Sequence, residues 1–419
     1  MTTTAAPSRT ELLDRLLALH RPGFALPASF HTDPEIFRLE LDRIWRRSWL
    51  FAGHACQAAS AGDYFTFEVG PDSLVIIRDE DGVLRALRNS CRHRGTRVCA
   101  EGSAGSVKRL VCPYHQWSYG LDGELKACGG MDRQGQLDRR DYGLRRAHLQ
   151  EVGGLIFVFL GEDPPAFAPA RTALAPGLEP QGLDRARVAA TRRYDVKANW
   201  KLVWENNREC WHCQVGHPEY IQANFDAALR GDRRARAAAE ARGSELSERL
   251  REQGLEIDYR EPGLIPFPAP GRWWSINRTP LVEGFVTESL DGRPVAPLMG
   301  DYTTPEVGTL RVRGMPNFWN HSSGDYAMST RLAPASSGVT RVDVQWLVHE
   351  DAVEGRDYDL ERLLAFWQIT SEQDWVLCES NQIGVQDSAY LPGPYSTERE
   401  YNVIAFTEWY LEQVATPGA

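Results

Sequence analysis

Apolar residues recur along this chain with two different periods, and the change from one to the other divides it. Near the N-terminus, Ser8-Arg-Thr-Glu11 forms a capping box, and Leu12, Leu13, Leu16 and Leu17 follow at helical spacing. "RPG" at 21–23 stops that helix. Asp33-Pro34 then supplies the N-cap and first-turn proline of a second helix, to about Arg46. The texture becomes that of strands. "DYFTFEV", "SLVIIRD" and "GVLRALRN" are short, β-rich and parted by Gly, Pro or Asp-Gly, which predicts antiparallel hairpins. "YGLDGELK" adds another Asp-Gly turn, and "GGLIFVFLG" (153–161) reads as a buried strand closing this region.

Residues 162–183 are rich in Pro and Ala and read as a linker with at most a short helix. Beyond them come strand-like "ARVAATRRYDV", a helix from about Asn199 and a charged Arg/Ala/Glu helix around 226–253, the last expected to be a solvated face. Further strands follow ("WWSIN", "GTLRVRG", "YAMSTRLA", "TRVDVQWLVH"), then a long helix over about 356–383 and an amphipathic one over about 399–415. The alternation predicts an α+β fold in which an antiparallel sheet is covered by helices. The boundaries expected are 1–46, 47–162, 163–183 and 184–419.

At 419 residues the chain can hold two or three domains. A formal charge of −10 argues against nucleic acid or an anionic membrane as partner. No basic segment followed by an apolar core opens the chain, and no apolar run approaches the ~20 residues that cross a bilayer. Eight unevenly placed cysteines do not form a disulfide scaffold. A reduced, cytoplasmic setting with metal sites fits them better.

Two stretches carry metal chemistry. "CRHRG" (Cys91, His93) and "CPYHQWSYG" (Cys112, His115) each offer one thiolate and one imidazole. Zinc accepts Cys₂His₂. The mixed halves suit a Rieske [2Fe–2S] cluster better, with two Cys on one iron and two His on the other. Trp117 and Tyr119 would shield it from water.

The second stretch is "ENNRECWHCQVGHPE" at 205–219. On an ideal helix Glu209 and His212 share a face, whereas His217 lies about 140° round from His212. For both histidines to meet one ion, the helix must distort or end, and Gly216 and Pro218 allow that. Cys210 and Cys213 point elsewhere on such a helix and read as buried small hydrophobes, a redox C-x-x-C being the alternative. Two His with one carboxylate hold iron(II) and leave positions open for O₂. Asp374 and Glu372, on the late helix, are the acids available.

Both motifs resemble those of Rieske non-haem iron oxygenase α subunits. "ENNRECWHC", "PLVEGFVTESLDGRPVAPLMG", "EQDWVLCESNQIGVQ" and "YLPGPYS" are similar to the glycine betaine and stachydrine (proline betaine) demethylase branch. The resemblance implies N-terminal helices (1–46) packing on the catalytic domain, a β-rich Rieske domain (47–162), a linker (163–183) and a helix-grip, START-like catalytic domain (184–419). It implies Cys91, His93, Cys112 and His115 as cluster ligands, and His212, His217 and Asp374 as iron ligands, with Glu379 matching a second acid five residues on. Glu209 would link His212 to His115 of the next subunit in a head-to-tail homotrimer. Gln116 departs from the pattern, which more often has Gly after the second His.

The activity implied is O₂-dependent N-demethylation of a small quaternary or tertiary amine with formaldehyde release. A separate flavin and iron–sulfur reductase would pass on electrons from NAD(P)H. A ring- or alkyl-hydroxylating oxygenase is the alternative, and a non-catalytic Rieske electron carrier is the third reading. A quaternary ammonium is recognised by aromatic faces. Trp273, Trp274, Phe318, Trp319 and Tyr390 are the candidates for that cage, with Arg278 or Asn320 for a carboxylate.

Overall fold

The computed structural model describes residues 9–225, 233–252 and 267–416. Ser8 of the capping box and the 226–232 start of the charged helix lie outside them. The first helix is Arg9–Leu19, and the charged helix is described over Arg233–Glu252. Asp33 caps Pro34–Arg43 as expected, its carboxylate accepting from Glu35 N at 2.7 Å.

Seven strands between residues 50 and 159 form an antiparallel sheet. Its order begins Leu50–His54, Leu155–Phe159, Arg146–Val152, Leu84–Arg88, Asp72–Arg78, then Asp63–Val69 and Ala104–Ser106. The buried run Leu155–Phe159 pairs back onto the first strand, so it does close the region. A small three-stranded sheet (Leu110–Val111, Ser118–Tyr119, Leu125–Ala127) carries the second Cys/His loop.

The second sheet has six antiparallel strands, ordered Arg187–Val196, Val339–Val348, Ala327–Ser336, Phe318–Ser322, Thr309–Gly314 and Trp274–Thr279. Phe318–Ser322 has no counterpart in the strands expected from sequence. It is a five-residue strand, buried throughout, and so lacks the alternation that marks a half-exposed one. The helix Leu360–Val385 packs on Trp200–Asn207 and on the edge strand Arg187–Val196, giving the helix-covered sheet expected. Among the described residues no helix is long and apolar enough to cross a membrane.

The Pro/Ala segment holds more structure than its composition suggests. Ala168–Leu178 is an eleven-residue helix whose Ala170, Leu174 and Leu178, four apart, are fully buried. Burial of that stripe outweighs the weak helix propensity of the segment. It joins a core that links the two sheets. There Phe51 lies 4.1 Å from Phe318, and Phe157 lies 5.3 Å from Trp273, ring centre to ring centre. Asn317 accepts from Phe51 N and donates to Phe51 O, both at 2.9 Å.

Candidate metal sites

The first Cys/His loop is built by turn bonds. Gly95 N donates to Cys91 O at 2.8 Å, and Cys91 N to Thr96 O at 2.9 Å. Asn89 pins its base, accepting from Val98 N and Cys99 N at 2.8 and 2.9 Å. The second loop closes in the same way, with Gln116 N to Cys112 O at 3.1 Å and Cys112 N to Trp117 O at 2.8 Å. Gln116 takes φ 57°, the one positive φ of a non-glycine among the described residues. A glycine at this turn carries no Cβ penalty, which accounts physically for its frequency there in the family that this loop resembles.

Both loops converge. Cys91 and Cys112 are buried, and the His93 and His115 rings stand 4.7 Å apart. Trp117 stacks on His93 at 4.9 Å and is itself buried, as is Tyr119. The Tyr119 hydroxyl accepts from Arg92 N at 3.1 Å, which leaves its O–H free to donate to Cys91 Sγ at 3.2 Å. His93 Nδ1 is buried with no hydrogen-bond partner. An orphaned ring nitrogen is costly unless it ligates, so the donor set fits a two-Cys, two-His cluster.

The second site forms where a helix fails. Trp200–Asn207 ends at Arg208, and helix resumes only at Cys213–Gly216 and Pro218–Ala223. Glu209 and His212 therefore meet in a non-helical turn between helices and not on a helix face. Pro218 opens the last of these helices and holds His217 out of helical geometry, at φ −132°, ψ 69°. His217 Nε2 comes 2.8 Å from Asp374 Oδ1, and His212 Nε2 3.3 Å from the same oxygen.

The opposite nitrogens are taken. His217 Nδ1 meets Gln373 Oε1 at 2.8 Å and His212 Nδ1 meets Glu209 Oε1 at 2.5 Å. Each pairing makes Nδ1 the donor and turns Nε2 towards Asp374, the arrangement of metal-ligating imidazoles. Burial opposes charge on His212, but Asp374 and Glu209 hold its pKa up, to about 9. Asp374 is held below the usual carboxylate range against its burial, by the two histidines. Three donors facing one point could hold an iron ion with positions left open.

Asp374 reaches that point because the long helix is anchored to the start of its neighbour. Gln382 Oε1 accepts from Asn199 N at 2.8 Å, and Glu379 Oε1 accepts from Lys197 N at 3.0 Å. Glu372 faces away, accepting from Tyr194 OH at 3.2 Å, so the structure brings Asp374 to the histidines and not Glu372.

Other sequence expectations are corrected. Cys210 and Cys213 are joined as a disulfide and are not independent small hydrophobes. The helix whose geometry kept them apart from the site is interrupted. Four of the aromatic candidates are absorbed by the core, and Tyr390 is half-buried and tied to the N-terminal segment. Phe318, Trp273 and Trp274 fill the seam between the sheets, Trp319 packs on Trp204 at 5.5 Å, and Tyr390 OH donates to Leu26 O at 3.1 Å. Arg278 is buried and committed to Val307 O and Tyr302 OH, both at 2.7 Å. Asn320 donates inside its own sheet to Met328 O at 3.0 Å.

A different set of rings leads from the site. Tyr220 is 6.3 Å from His217, Trp367 5.9 Å from Tyr220, and His321 4.3 Å from Trp367. His321 Nδ1 meets Glu288 Oε1 at 3.3 Å. Glu288 is buried, yet His321 and Arg311 hold it below the usual carboxylate range. Trp367 lies seven residues before Asp374, two helical turns, hence on the same face. That spacing was the signal available in the sequence; Tyr220, His321 and Glu288 offered none.

Residues 48–138 match the Rieske [2Fe–2S] domain family, and residues 183–416 match the ring hydroxylating alpha subunit (catalytic domain) family. The glycine betaine monooxygenase oxygenase subunit of Chromohalobacter salexigens is 39% identical over 95% of this chain and 87% of its own length. That of Pseudomonas aeruginosa is 37% identical over 97% and 93%. Among solved structures, a quaternary ammonium Rieske monooxygenase bound to L-carnitine superposes with TM-score 0.68 at 19% identity, covering 94% of this chain and 96% of that one. Naphthalene 1,2-dioxygenase from Rhodococcus sp. gives 0.67 at 19% identity, covering 98% and 99%. Both structures share the fold. With its two converging donor sets and these relatives, the chain belongs to the Rieske non-haem iron oxygenases, as a monooxygenase that carries a [2Fe–2S] cluster and a mononuclear iron and is served by a separate reductase.

Proposed function

We propose that this enzyme removes an N-methyl group from glycine betaine or a closely related small quaternary amine, releasing formaldehyde. The observation that carries the reading is the convergence of His212, His217 and Asp374 on one point, with the rings of Tyr220 and Trp367 packed beside it and the Glu288 carboxylate behind them. A quaternary ammonium donates no hydrogen bond. It is held by aromatic faces and a nearby negative charge, both strengthened when dry. The oxygenase subunits similar to this chain over most of its length are named for glycine betaine.

His212, His217 and Asp374 hold the iron in this reading, and Cys91, His93, Cys112 and His115 hold the cluster. When bound, these groups supply single electrons and O₂ activation, and the hydroxylated N-methyl carbon then leaves as formaldehyde. The chain's own residues orient and exclude. Gln373 and Glu209 fix the histidine tautomers, and the ring series keeps water from the methyl group.

Glu209 relays between sites in a head-to-tail trimer. Supporting this, His115 and Tyr114 are exposed at the tip of their loop. Apolar side chains are also exposed beside the iron loop and along the Asp374 helix: Trp211 at 52%, Val215 at 91%, Val376 at 66% and Ile383 at 70%. Exposed apolar side chains on these two neighbouring segments suit burial against another subunit. The reading places the enzyme in the cytoplasm, where reduced pyridine nucleotide supplies its reductase.

The test is formaldehyde release from glycine betaine with a compatible reductase. Release stoichiometric with O₂ uptake is expected. Hydroxylation of arenes with no formaldehyde from any methylated amine would refute the reading. Glu209→Gln should keep both metals yet suppress turnover; unchanged turnover removes Glu209 from the relay.

A further inference from the structure

We propose that Cys213 is a fourth protein donor to the mononuclear metal, and that pairing with Cys210 decides whether it is available. The inference rests on reading His212, His217 and Asp374 as iron ligands. On an unbroken helix Cys213 would point about 100° away from His212; the break after Asn207 removes that constraint. The donor atoms of His212, Cys213 and His217 all lie within 4.8 Å of one another. Cys213 Sγ is 3.9 Å from His212 Nε2, the nitrogen that faces Asp374.

Two ligands of one ion, with metal–nitrogen near 2.1 Å and metal–sulfur near 2.3 Å, stand about 3.6 Å apart at the tetrahedral angle and about 3.9 Å apart when the angle opens to about 125°. The separation of Cys213 Sγ from His212 Nε2 thus falls within the range of two ligands on one ion.

In the structure this sulfur is bonded to Cys210. The thiolate is the metal ligand; a disulfide sulfur, being neutral, is a poor one. The paired form therefore leaves the two histidines and Asp374 with open positions, as O₂ chemistry requires. The dithiol form places a thiolate on one of those positions. Interconversion is a two-electron step. A peroxide takes two electrons and the two thiol protons and leaves as water, while the S–S bond forms; a small dithiol reverses it by exchange. A peroxide would thus open the site, and a small dithiol would cap it.

The test uses the full-length protein with its cluster in place, the mononuclear iron removed by chelation and cobalt(II) put in its position. Cobalt K-edge X-ray absorption does not see the cluster iron. After phosphine reduction, one sulfur neighbour at about 2.3 Å is expected. It should vanish after peroxide oxidation and in Cys213→Ser, and be present in Cys210→Ser, which cannot pair, without any phosphine treatment. Alkylation with mass spectrometry should label Cys213 in the reduced, cobalt-free protein and find it protected when cobalt is bound. Nitrogen and oxygen neighbours alone in the reduced protein overturn the ligand assignment. Thiols that both remain alkylatable after peroxide overturn the couple. Failure of cobalt to bind wild type and Cys213→Ser alike overturns the three-ligand site, and this proposal with it.

Discussion

Glu40 and Lys201 form an ion pair with no solvent exposure, and its rupture should be costly. Lys201 Nζ lies 2.5 Å from Glu40 Oε1, both side chains at 0% exposure. The same carboxylate accepts from Tyr410 OH at 2.7 Å and Trp200 Nε1 at 2.8 Å. Three donors thus converge on one acid, tying the Pro34–Arg43 helix and the C-terminal helix to the helix that leads into the iron loop. Burial lowers the Lys201 pKa, with Glu40 opposing it.

Glu40→Gln removes the counter-charge from a dry ammonium and turns one acceptor into a donor among donors. Lys201→Met strands a buried carboxylate. Each should cost about 3–5 kcal/mol. In the double variant the stranded charge is gone, so its loss should fall short of the sum by about 2 kcal/mol. The assay is guanidinium unfolding of the four proteins, followed by tryptophan fluorescence, with cluster absorbance as control. Metal loss makes unfolding depart from two states, so the quantity compared is the coupling, in which common terms cancel. Additivity within about 0.5 kcal/mol would refute the reasoning.

Asp374→Ala should lose the mononuclear iron and keep the cluster, seen as reduced metal content with an intact Rieske resonance; loss of both would show that the sites are not separable. Gln116→Gly relieves a left-handed residue and should stabilise the cluster loop by about 1 kcal/mol, read as slower cluster loss on heating. Tyr119→Phe removes a donor to Cys91 Sγ and should move the cluster potential downwards, measured by redox titration. Burial pushes Glu205 from 4.5 up to about 8. The folded chain then keeps a proton that the unfolded chain releases near 4.5, so stability falls as pH rises through that window and levels off above it. Glu205→Gln should therefore gain stability relative to wild type between pH 5 and pH 8, measured as diverging melting temperatures; parallel curves would contradict this.

What the sequence determined by itself is local. The Cys/His spacings, the Asp33-Pro34 helix start, the hairpins and the interruption at Gly216–Pro218 all follow from neighbours in the chain, because turns, caps and strand alternation are short-range preferences. What only the tertiary structure decided lies between distant residues. His217 and Asp374 are 157 positions apart, and only the anchoring of Gln382 and Glu379 to the backbone leading into the neighbouring helix turns Asp374, and not Glu372, towards the histidines. Four of the five aromatic residues chosen by type fell in the core, because an aromatic ring serves a packed seam as well as it serves a cage. The helix expected to hold Glu209 and His212 on one face ends early, which brought Cys210 to Cys213 and Cys213 to His212. Periodicity reports which faces are apolar; it does not report where a helix stops when side chains downstream are drawn to a common point by partners from elsewhere in the fold.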